Sequence, residues 1–527
     1  MVKLTIDHNP VEVQEGISVM EAAAILGISI PSMCFRPGLT NHPSCMVCLV
    51  KDLDRDHLVP SCAMPVSEGM NILTNSPEVT EARREALELL LSDHVGDCEA
   101  PCRLSCPAFM DIPLMNRLIA KGDFDQALRI VREEIALPLI LGFICPAPCE
   151  KACKRKALDH AVSICLLKRS SALFGKPETS GLSEIPVNNG KKVAIIGTGP
   201  AGLSAAFYLL RSGHSCVLFD QHEKAGGAMQ YEIPEDRLPK DMLDDEIGTI
   251  RKMGAEFRLG VMITREIFQN SILPGFDAAI LATGSLKSVI DNAFGIQPDA
   301  HGVFIDKKNF TTTIPGVFAC GNIIREQKMA VHSVAQGKMA AKQVERFLGT
   351  SKPTRKPIKF NSVAGHLSEP ELKEYLKESI PDDRVEPVDG FLAGLTKEEA
   401  MHEALRCLHC DCRKPVSCKL RIYAEEYDVN RRRFAGQDRK QLTRSVQHEL
   451  LVYEAEKCIR CGLCVEITEK HGESIGLGFA GRGFDVRISV PFDENIKEAL
   501  TITAKECVES CPTGALAFKD TEERSSI

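Results

Sequence analysis

The residues best able to do chemistry are the 22 cysteines, because nearly all fall in tight groups. Thiolates bind soft metals, and iron–sulfur clusters take four ligands, usually cysteine. Cys34, Cys45, Cys48 and Cys62 form the first group, spaced Cys-x10-Cys-x2-Cys-x13-Cys in a loop rich in Pro, Gly and Asn. Such a loop can wrap a small cluster with its N–H groups free to reach the sulfurs. The spacing points to a 2Fe–2S centre, with a structural zinc site as the alternative. Cys98, Cys102 and Cys106 form the second group, and Cys145, Cys149, Cys153 and Cys165 the third. These seven thiols with one further ligand suffice for two 4Fe–4S clusters. His94, four residues before Cys98, is the candidate eighth ligand; its alternative is a dipole partner at a helix end. Cys165 lies in an apolar helical stretch, where a buried thiol is the alternative to ligation.

Cys407, Cys410, Cys412 and Cys418 form a fourth group, enough for one compact site, iron–sulfur or zinc. The fifth is Cys458-x2-Cys461-x2-Cys464 followed by Cys507-x3-Cys511-Pro512. In two-cluster ferredoxins each cluster takes three cysteines from one run and its fourth from the other. By that rule Cys458, Cys461, Cys464 and Cys511 hold one 4Fe–4S cluster. The second cluster would need a cysteine where Thr468 stands, so Cys507 reads as an unligated remnant. Cys216 and Cys320 stand apart from all groups.

A second chemistry lies between the third and fourth groups. An apolar strand, Lys192 to Ile196, runs into Gly197-Thr198-Gly199-Pro200-Ala201-Gly202 and an apolar helix; a second strand ends at Asp220. Glycines there let the backbone approach a pyrophosphate, the helix N-terminus faces its charge, and Asp220 is placed for a ribose hydroxyl. Gly226-Gly227, Arg237, Thr283-Gly284 and Gly321-Asn322 follow in order. No acid–base or nucleophile set for a small substrate is evident. His332, beside Ser333, reads as packing near the dinucleotide.

The elements that must position these residues are legible in outline. An alternating strand pattern from Val2 to Val13 and an apolar helix from Ser18 to Leu26 precede the first group. Helical stretches at about 113–121 and 123–135 separate Cys106-Pro107 from Cys145-Pro146, and another, 397–405, precedes Cys407. The 527 residues imply several domains, 44% hydrophobic content allows real cores, and a net charge of −8 disfavours nucleic acid as a partner. No run approaches the ~18 apolar residues of a membrane span, and the first residues do not read as a signal peptide, so a cytoplasmic protein is expected. Disulfides are disfavoured there, which returns the cysteines to metal ligation.

Two family resemblances follow. Residues 1 to about 93 resemble the N-terminal 2Fe–2S module of the large iron–sulfur subunit of respiratory NADH dehydrogenase, shared by cytosolic hydrogenases and NAD-linked formate dehydrogenases. The likeness resumes at Cys412-x5-Cys418-Lys419-Leu420, Tyr423 to Tyr427, Arg433-Phe434-Ala-Gly, Gly481 to Arg487 and Pro512-Thr-Gly-Ala515. It implies that Cys407 and Cys410 replace that subunit's usual His-x3-Cys pair. The interruption, about 94–350, resembles the small subunit of glutamate synthase and a segment of dihydropyrimidine dehydrogenase. That match implies one cluster on Cys102, Cys106, Cys149 and Cys153, and another on Cys98, Cys145 and a residue near 165. The family's last ligand falls at about Lys168, and Cys165 lies one turn earlier on the same helix face. The glycine motifs resemble those of FAD-binding, disulfide-reductase-like flavoproteins, with Asn322 where those proteins carry Asp. The interval from Gly284 to Gly316 scarcely exceeds the about 30 residues of a single βαβ unit, so FAD without a separate nicotinamide domain is expected.

The expected fold class is multidomain α+β and α/β. It comprises a β-grasp 2Fe–2S domain (1–78), a helical domain with two 4Fe–4S clusters (79–185) and a Rossmann-like FAD domain (186–350). A linker (351–400), a Cys-rich 4Fe–4S segment (401–450) and a ferredoxin-like domain with one 4Fe–4S cluster (451–527) complete it. The expected function is an oxidoreductase subunit carrying FAD, one 2Fe–2S and about four 4Fe–4S clusters. It would move electrons between an NADH-oxidising FMN/iron–sulfur partner and a hydrogenase, formate dehydrogenase or similar subunit, with bifurcation at FAD within its chemistry. The alternatives are an autonomous NAD(P)H-dependent reductase and a scaffold with a vestigial flavin site.

Overall fold

The computed structural model describes residues 1–176, 187–285, 294–296, 303, 305–351, 358–434, 436 and 440–519. The expected boundary at 185/186, about half of the interval between Gly284 and Gly316, Ala435 and the residues after 519 lie outside the described residues. The chain divides into two units. The first takes Met1–Ala100, Thr354–Glu378 and His409–Ile527; the second takes Pro101–Pro353 and Ser379–Leu408. Residues 79–100 fall in the first unit, and the expected linker is shared between the two.

The first unit opens with a hairpin of β1 (Val2–Ile6) and β2 (Asn9–Val13). Asp7 and His8 both take positive φ, the twist-matching geometry of a two-residue hairpin turn. α1 (Val19–Ile25) starts at a capping box of Ser18 and Glu21 and buries Val19, Ala22 and Ala23. With β3 (Leu49–Asp52), β4 (His57–Pro60) and β5 (Asn71–Leu73) the sheet order is β2-β1-β5-β3-β4, β5 lying parallel to β1. Alternation puts Val2, Leu4 and Ile6 into one core with α1. α2 (Pro77–Ser92), capped by Ser76, packs on β3.

The second unit begins with short helices: α3 (Pro101–Ser105), α4 (Ile112–Ala120), α5 (Phe124–Glu134), α6 (Pro138–Ile144), α7 (Pro148–Lys151) and α8 (Ile164–Phe174). Asp111 and Asp123 cap α4 and α5 by accepting from Leu114 N and Gln126 N. α6 and α8 pack so closely that a Cβ at Gly142 would meet Arg169. A parallel sheet follows: β6 (Lys192–Ile196), α9 (Pro200–Arg211), β7 (Ser215–Phe219), α10 (Lys240–Lys252), β8 (Glu256–Arg258), β9 (Ala278–Leu281) and β10 (Val317–Ala319). Its order is β10-β9-β6-β7-β8, so the winding reverses between β6 and β9. That switch point opens a crevice at the carboxyl ends of the strands. α11 (Ala330–Phe347) packs on α9, and a side chain at Gly337 would strike the Ala201 carbonyl.

α12 (Glu369–Leu376) belongs to the first unit and α13 (Lys397–Leu405) to the second, where it packs on α4 and α8. The first unit then closes with α14 (Lys419–Glu426), β11 (Leu451–Tyr453), α15 (Leu463–Lys470), β12 (Gly478–Ala480), β13 (Arg487–Ser489), α16 (Ala504–Ser510) and β14 (Leu516–Phe518). β11 pairs antiparallel with β14 over a core containing Ile467, Leu500 and Cys507.

Candidate functional site

The first thiol set lies in the loops between α1 and β4's end. Cys34, Cys45, Cys48 and Cys62 are all buried, and Cys34 Sγ stands 3.4 Å from Cys45 Sγ. Hydrogen bonds from Cys45 and Cys62 draw the Cys34 thiol strongly down and hold the protons of those two neighbours. Four buried thiols cannot ionise together without a cation among them. Ser61 fixes the loop by donating from Oγ to the Cys48 carbonyl at 2.7 Å.

In the second set, Cys98 lies in the first unit, against Cys412 and Cys418. Cys412 N donates to the Cys98 carbonyl (3.3 Å), and Ser362 N donates to Cys98 Sγ (3.3 Å). Glu99, next in the chain, pairs with Arg421 of α14 at 2.9 Å. Burial, then the neighbouring Cys412, pushes the Cys98 thiol up to about 11. His94 lies beside Lys457, and burial holds its imidazole neutral, at about 4. Its Nδ1 is buried without a hydrogen-bond partner. A neutral imidazole with a buried, unpartnered nitrogen has the form of a metal ligand. A Cβ at Gly514 would collide with Cys412 Sγ. The sequence signal for this set is the His94-x3-Cys98 spacing, the kind of pair that the resemblance implies Cys407 and Cys410 replace. The segment from Pro101 to Leu408, most of it in the second unit, separates it from Cys412.

In the third set Cys458, Cys461, Cys464 and Cys511 influence one another electrostatically, and burial is the first cause raising the Cys458, Cys461 and Cys464 thiols. Arg460 N donates to Cys458 Sγ at 3.3 Å. Cys507 is fully buried in α16, directed at the Cys464 carbonyl, and burial pushes its thiol up to about 12. Thr468 is engaged with Val465 O and Leu477 N. The three sets of this unit are near neighbours: Cys461 feels Cys34, and Cys418 feels Cys511.

In the second unit Cys106, Cys145, Cys149 and Cys165 line one small cavity together with Lys168. This grouping, too, departs from the one implied by resemblance, which divided these thiols between two clusters. Cys102 sits on α3, which packs on α7; Cys153 follows α7, and its thiol, raised first by burial, lies within reach of Arg406. Cys407 directly follows Arg406.

Tight cysteine loops share a backbone device. Met46 (φ 55°), Ala147 (φ 50°), His409 (φ 47°) and Arg460 (φ 55°) each stand between two cysteines and are left-handed without being glycine. Each costs about 1 kcal/mol or more. Such turns point successive N–H groups into a concavity suited to phosphate or iron–sulfur groups. Among the described residues no three His, Cys, Asp or Glu side chains have the spacing of a single-ion site. Sulfurs that bind different irons of one cluster stand farther apart than sulfurs on one ion.

The crevice of the parallel sheet holds the glycine motif. Gly197 (φ 109°) lies against the Ala282 carbonyl, and a Cβ at Gly202 would strike the Gly197 carbonyl. Gly199 has open space where a Cβ would be, as approach of a pyrophosphate requires, and Pro200 opens α9. Gly227 packs against Gly199. Asp220 accepts from Thr198 N (2.8 Å), Thr198 Oγ1 (2.6 Å) and His222 N (3.0 Å), and the first cause acting on its carboxyl, burial, is outweighed by these bonds, which hold it low. Gly321 (φ 82°) donates to Gln336 at 2.7 Å. Asn322 exchanges bonds with the Gln327 backbone, bracing its own loop. Thr283 and Gly284 follow β9, and Arg237 lies exposed in the turn before α10.

Fold and thiol sets define an iron–sulfur protein with a dinucleotide-binding domain, of the kind found in oxidoreductases. Residues 1–77 match the 2Fe-2S iron-sulfur cluster binding domain, 74–176 dihydropyrimidine dehydrogenase domain II with its 4Fe-4S cluster, and 195–253 an NAD(P)-binding Rossmann-like domain. The chain is 37% identical over 207 residues to NADPH-Fe(3+) oxidoreductase subunit beta of Geobacter sulfurreducens (strain DL-1 / KN400), covering 38% of this chain and 30% of that one. It is 34% identical over 233 residues to NADP(+)-dependent formate dehydrogenase subunit beta of Moorella thermoacetica, covering 40% and 33%. It is 36% identical over 183 residues to the glutamate synthase [NADPH] small chain of Bacillus subtilis (strain 168), covering 34% and 37%. The chain thus spans about a third of the length of these curated relatives. The matches bear out the resemblance to an iron–sulfur module fused with a glutamate synthase small chain-like segment. No helix among the described residues is long and apolar enough to cross a membrane.

Proposed function

We propose that the chain is an electron-transfer subunit of a cytoplasmic multisubunit oxidoreductase, carrying FAD, one 2Fe–2S cluster and four 4Fe–4S clusters. Cys34, Cys45, Cys48 and Cys62 hold the 2Fe–2S cluster. His94, Cys98, Cys412 and Cys418 hold one 4Fe–4S cluster, Cys458, Cys461, Cys464 and Cys511 a second, and Cys106, Cys145, Cys149 and Cys165 a third. Cys102, Cys153 and Cys407 supply ligands to the remaining one. The Gly197–Gly202 turn, Asp220, Gly227 and Gly321 cradle the flavin. The observation that carries the reading is the closeness of the first unit's three thiol sets, with Cys461 within electrostatic reach of Cys34 and Cys418 of Cys511.

Clusters move single electrons and flavin exchanges one or two, so the pair links hydride chemistry to one-electron chemistry. The relatives' names, formate dehydrogenase beta and NADPH-Fe(3+) oxidoreductase beta, support a place beside other redox subunits. Phe484 and Phe492 are 96% and 89% exposed, the kind of surface another subunit covers. The partners in this reading are an NADH-oxidising FMN/iron–sulfur subunit and a hydrogenase, formate dehydrogenase or similar subunit. Anaerobic affinity isolation of the native assembly should bring down such chains, with flavin absorbance retained by this one. A flavin-containing monomer that NADH bleaches rapidly would instead establish an autonomous reductase.

A further inference from the structure

Lys168 occupies the position where the resemblance places a cluster ligand, yet it is an ammonium at 3% exposure. It lines the cavity formed by Cys106, Cys145, Cys149 and Cys165, and its Nζ donates to Leu141 O at 3.1 Å and stands 3.9 Å from Cys165 Sγ. Among the described residues no carboxylate lies within ion-pair distance of it, though the buried Glu246 is within its electrostatic reach. Removing an ammonium from water costs several kcal/mol unless an anion faces it, and the groups acting most strongly on this one are these four sulfurs. Lys457, beside Cys412, differs: its charge is met directly by Glu454. Resting on the ligand set proposed above, we propose that Lys168 places a positive charge against the Cys106/Cys145/Cys149/Cys165 cluster and raises its reduction potential. That would make it the electron-accepting end of the second unit. The physical reason is simple. A 4Fe–4S cluster on four thiolates gains one negative charge for each electron taken up, and a fixed cation stabilises the more negative state.

The test is an anaerobic redox titration of the holo-chain with dithionite, followed by electron paramagnetic resonance, alongside iron and sulfide analysis. In K168Q and K168M one 4Fe–4S centre should move to a more negative midpoint while the others stay in place and iron content is unchanged. K168R should keep the midpoint near wild type. Unchanged midpoints in K168Q and K168M at full iron content would overturn the charge role. Loss of about four irons in K168R as well as K168Q would also overturn it, because the side chain would then be needed for assembly. C149A separates the layers of the argument. If it keeps all its iron, the ligand assignment itself fails; if it loses about four irons while K168Q leaves every midpoint in place, only the inference on Lys168 fails.

Discussion

Cys98 is the residue on which two ligand maps disagree. Resemblance joins it to Cys145; the hydrogen bond from Cys412 N and the electrostatic reach of Cys418 join it to those two. Residues that share one cluster fail as a unit, whereas residues of different clusters fail independently. C98A and C412A should each lose about four irons per chain, and the double variant no more than either alone. C98A/C145A should lose about eight. A loss of only four from that second pair, measured by iron and sulfide analysis, would restore the map implied by resemblance. If His94 belongs to the same set, as proposed, H94A should follow C98A, since its buried Nδ1 has no hydrogen-bond partner.

At the scale of the element, α6 shows how a buried helix start is satisfied. Leu137, at its N-cap, gives no side-chain bond; Glu246 of α10 accepts from Leu139 N and Ile140 N, both at 2.9 Å. Burial nevertheless pushes the Glu246 carboxyl from an ordinary 4.5 up to about 7. The folded chain therefore binds this proton more tightly than the unfolded one. Its contribution is full below about 4.5 and is lost as pH rises through about 7, at most about 3 kcal/mol. Anaerobic urea unfolding of the second unit should show that loss between pH 5 and 8, and E246Q should flatten it. An unchanged pH slope in E246Q would place the titration elsewhere.

At the scale of the molecule, the loops that carry thiols combine left-handed backbone with buried sulfur. They pass through left-handed backbone at Met46, Ala147 and Arg460, and their sulfurs sit where burial opposes ionisation. Metal binding and folding are therefore coupled. Stripping iron under anaerobic conditions should abolish a single cooperative transition and open the 34–48, 145–153 and 458–464 loops to proteolysis. The hydrophobic cores of the first sheet, with Val2, Leu4 and Ile6, and of the parallel sheet should outlast those loops. Equal protection of the loops in apo and holo chains would mean that the clusters contribute nothing to the fold.

The sequence by itself determined the local facts: thiol spacing, the glycine turn after an apolar strand, the alternating pattern from Val2 to Val13, and helices begun by Asp123 and Ser18. These are legible because each is decided within a few residues by backbone sterics, capping and periodicity. That Thr468 stands where a second cluster would need a thiol is equally local. Only the tertiary structure decided which distant thiols meet. His94 and Cys98 end one stretch of the first unit, and Cys412 and Cys418 lie beyond the segment from Pro101 to Leu408, most of which builds another unit. No local rule carries a chain across that separation; burial of Glu99 against Arg421 and the bonds at Ser362 do. Likewise, a lysine on an apolar helix says nothing of four sulfurs around it until helices α6, α7 and α8 have packed.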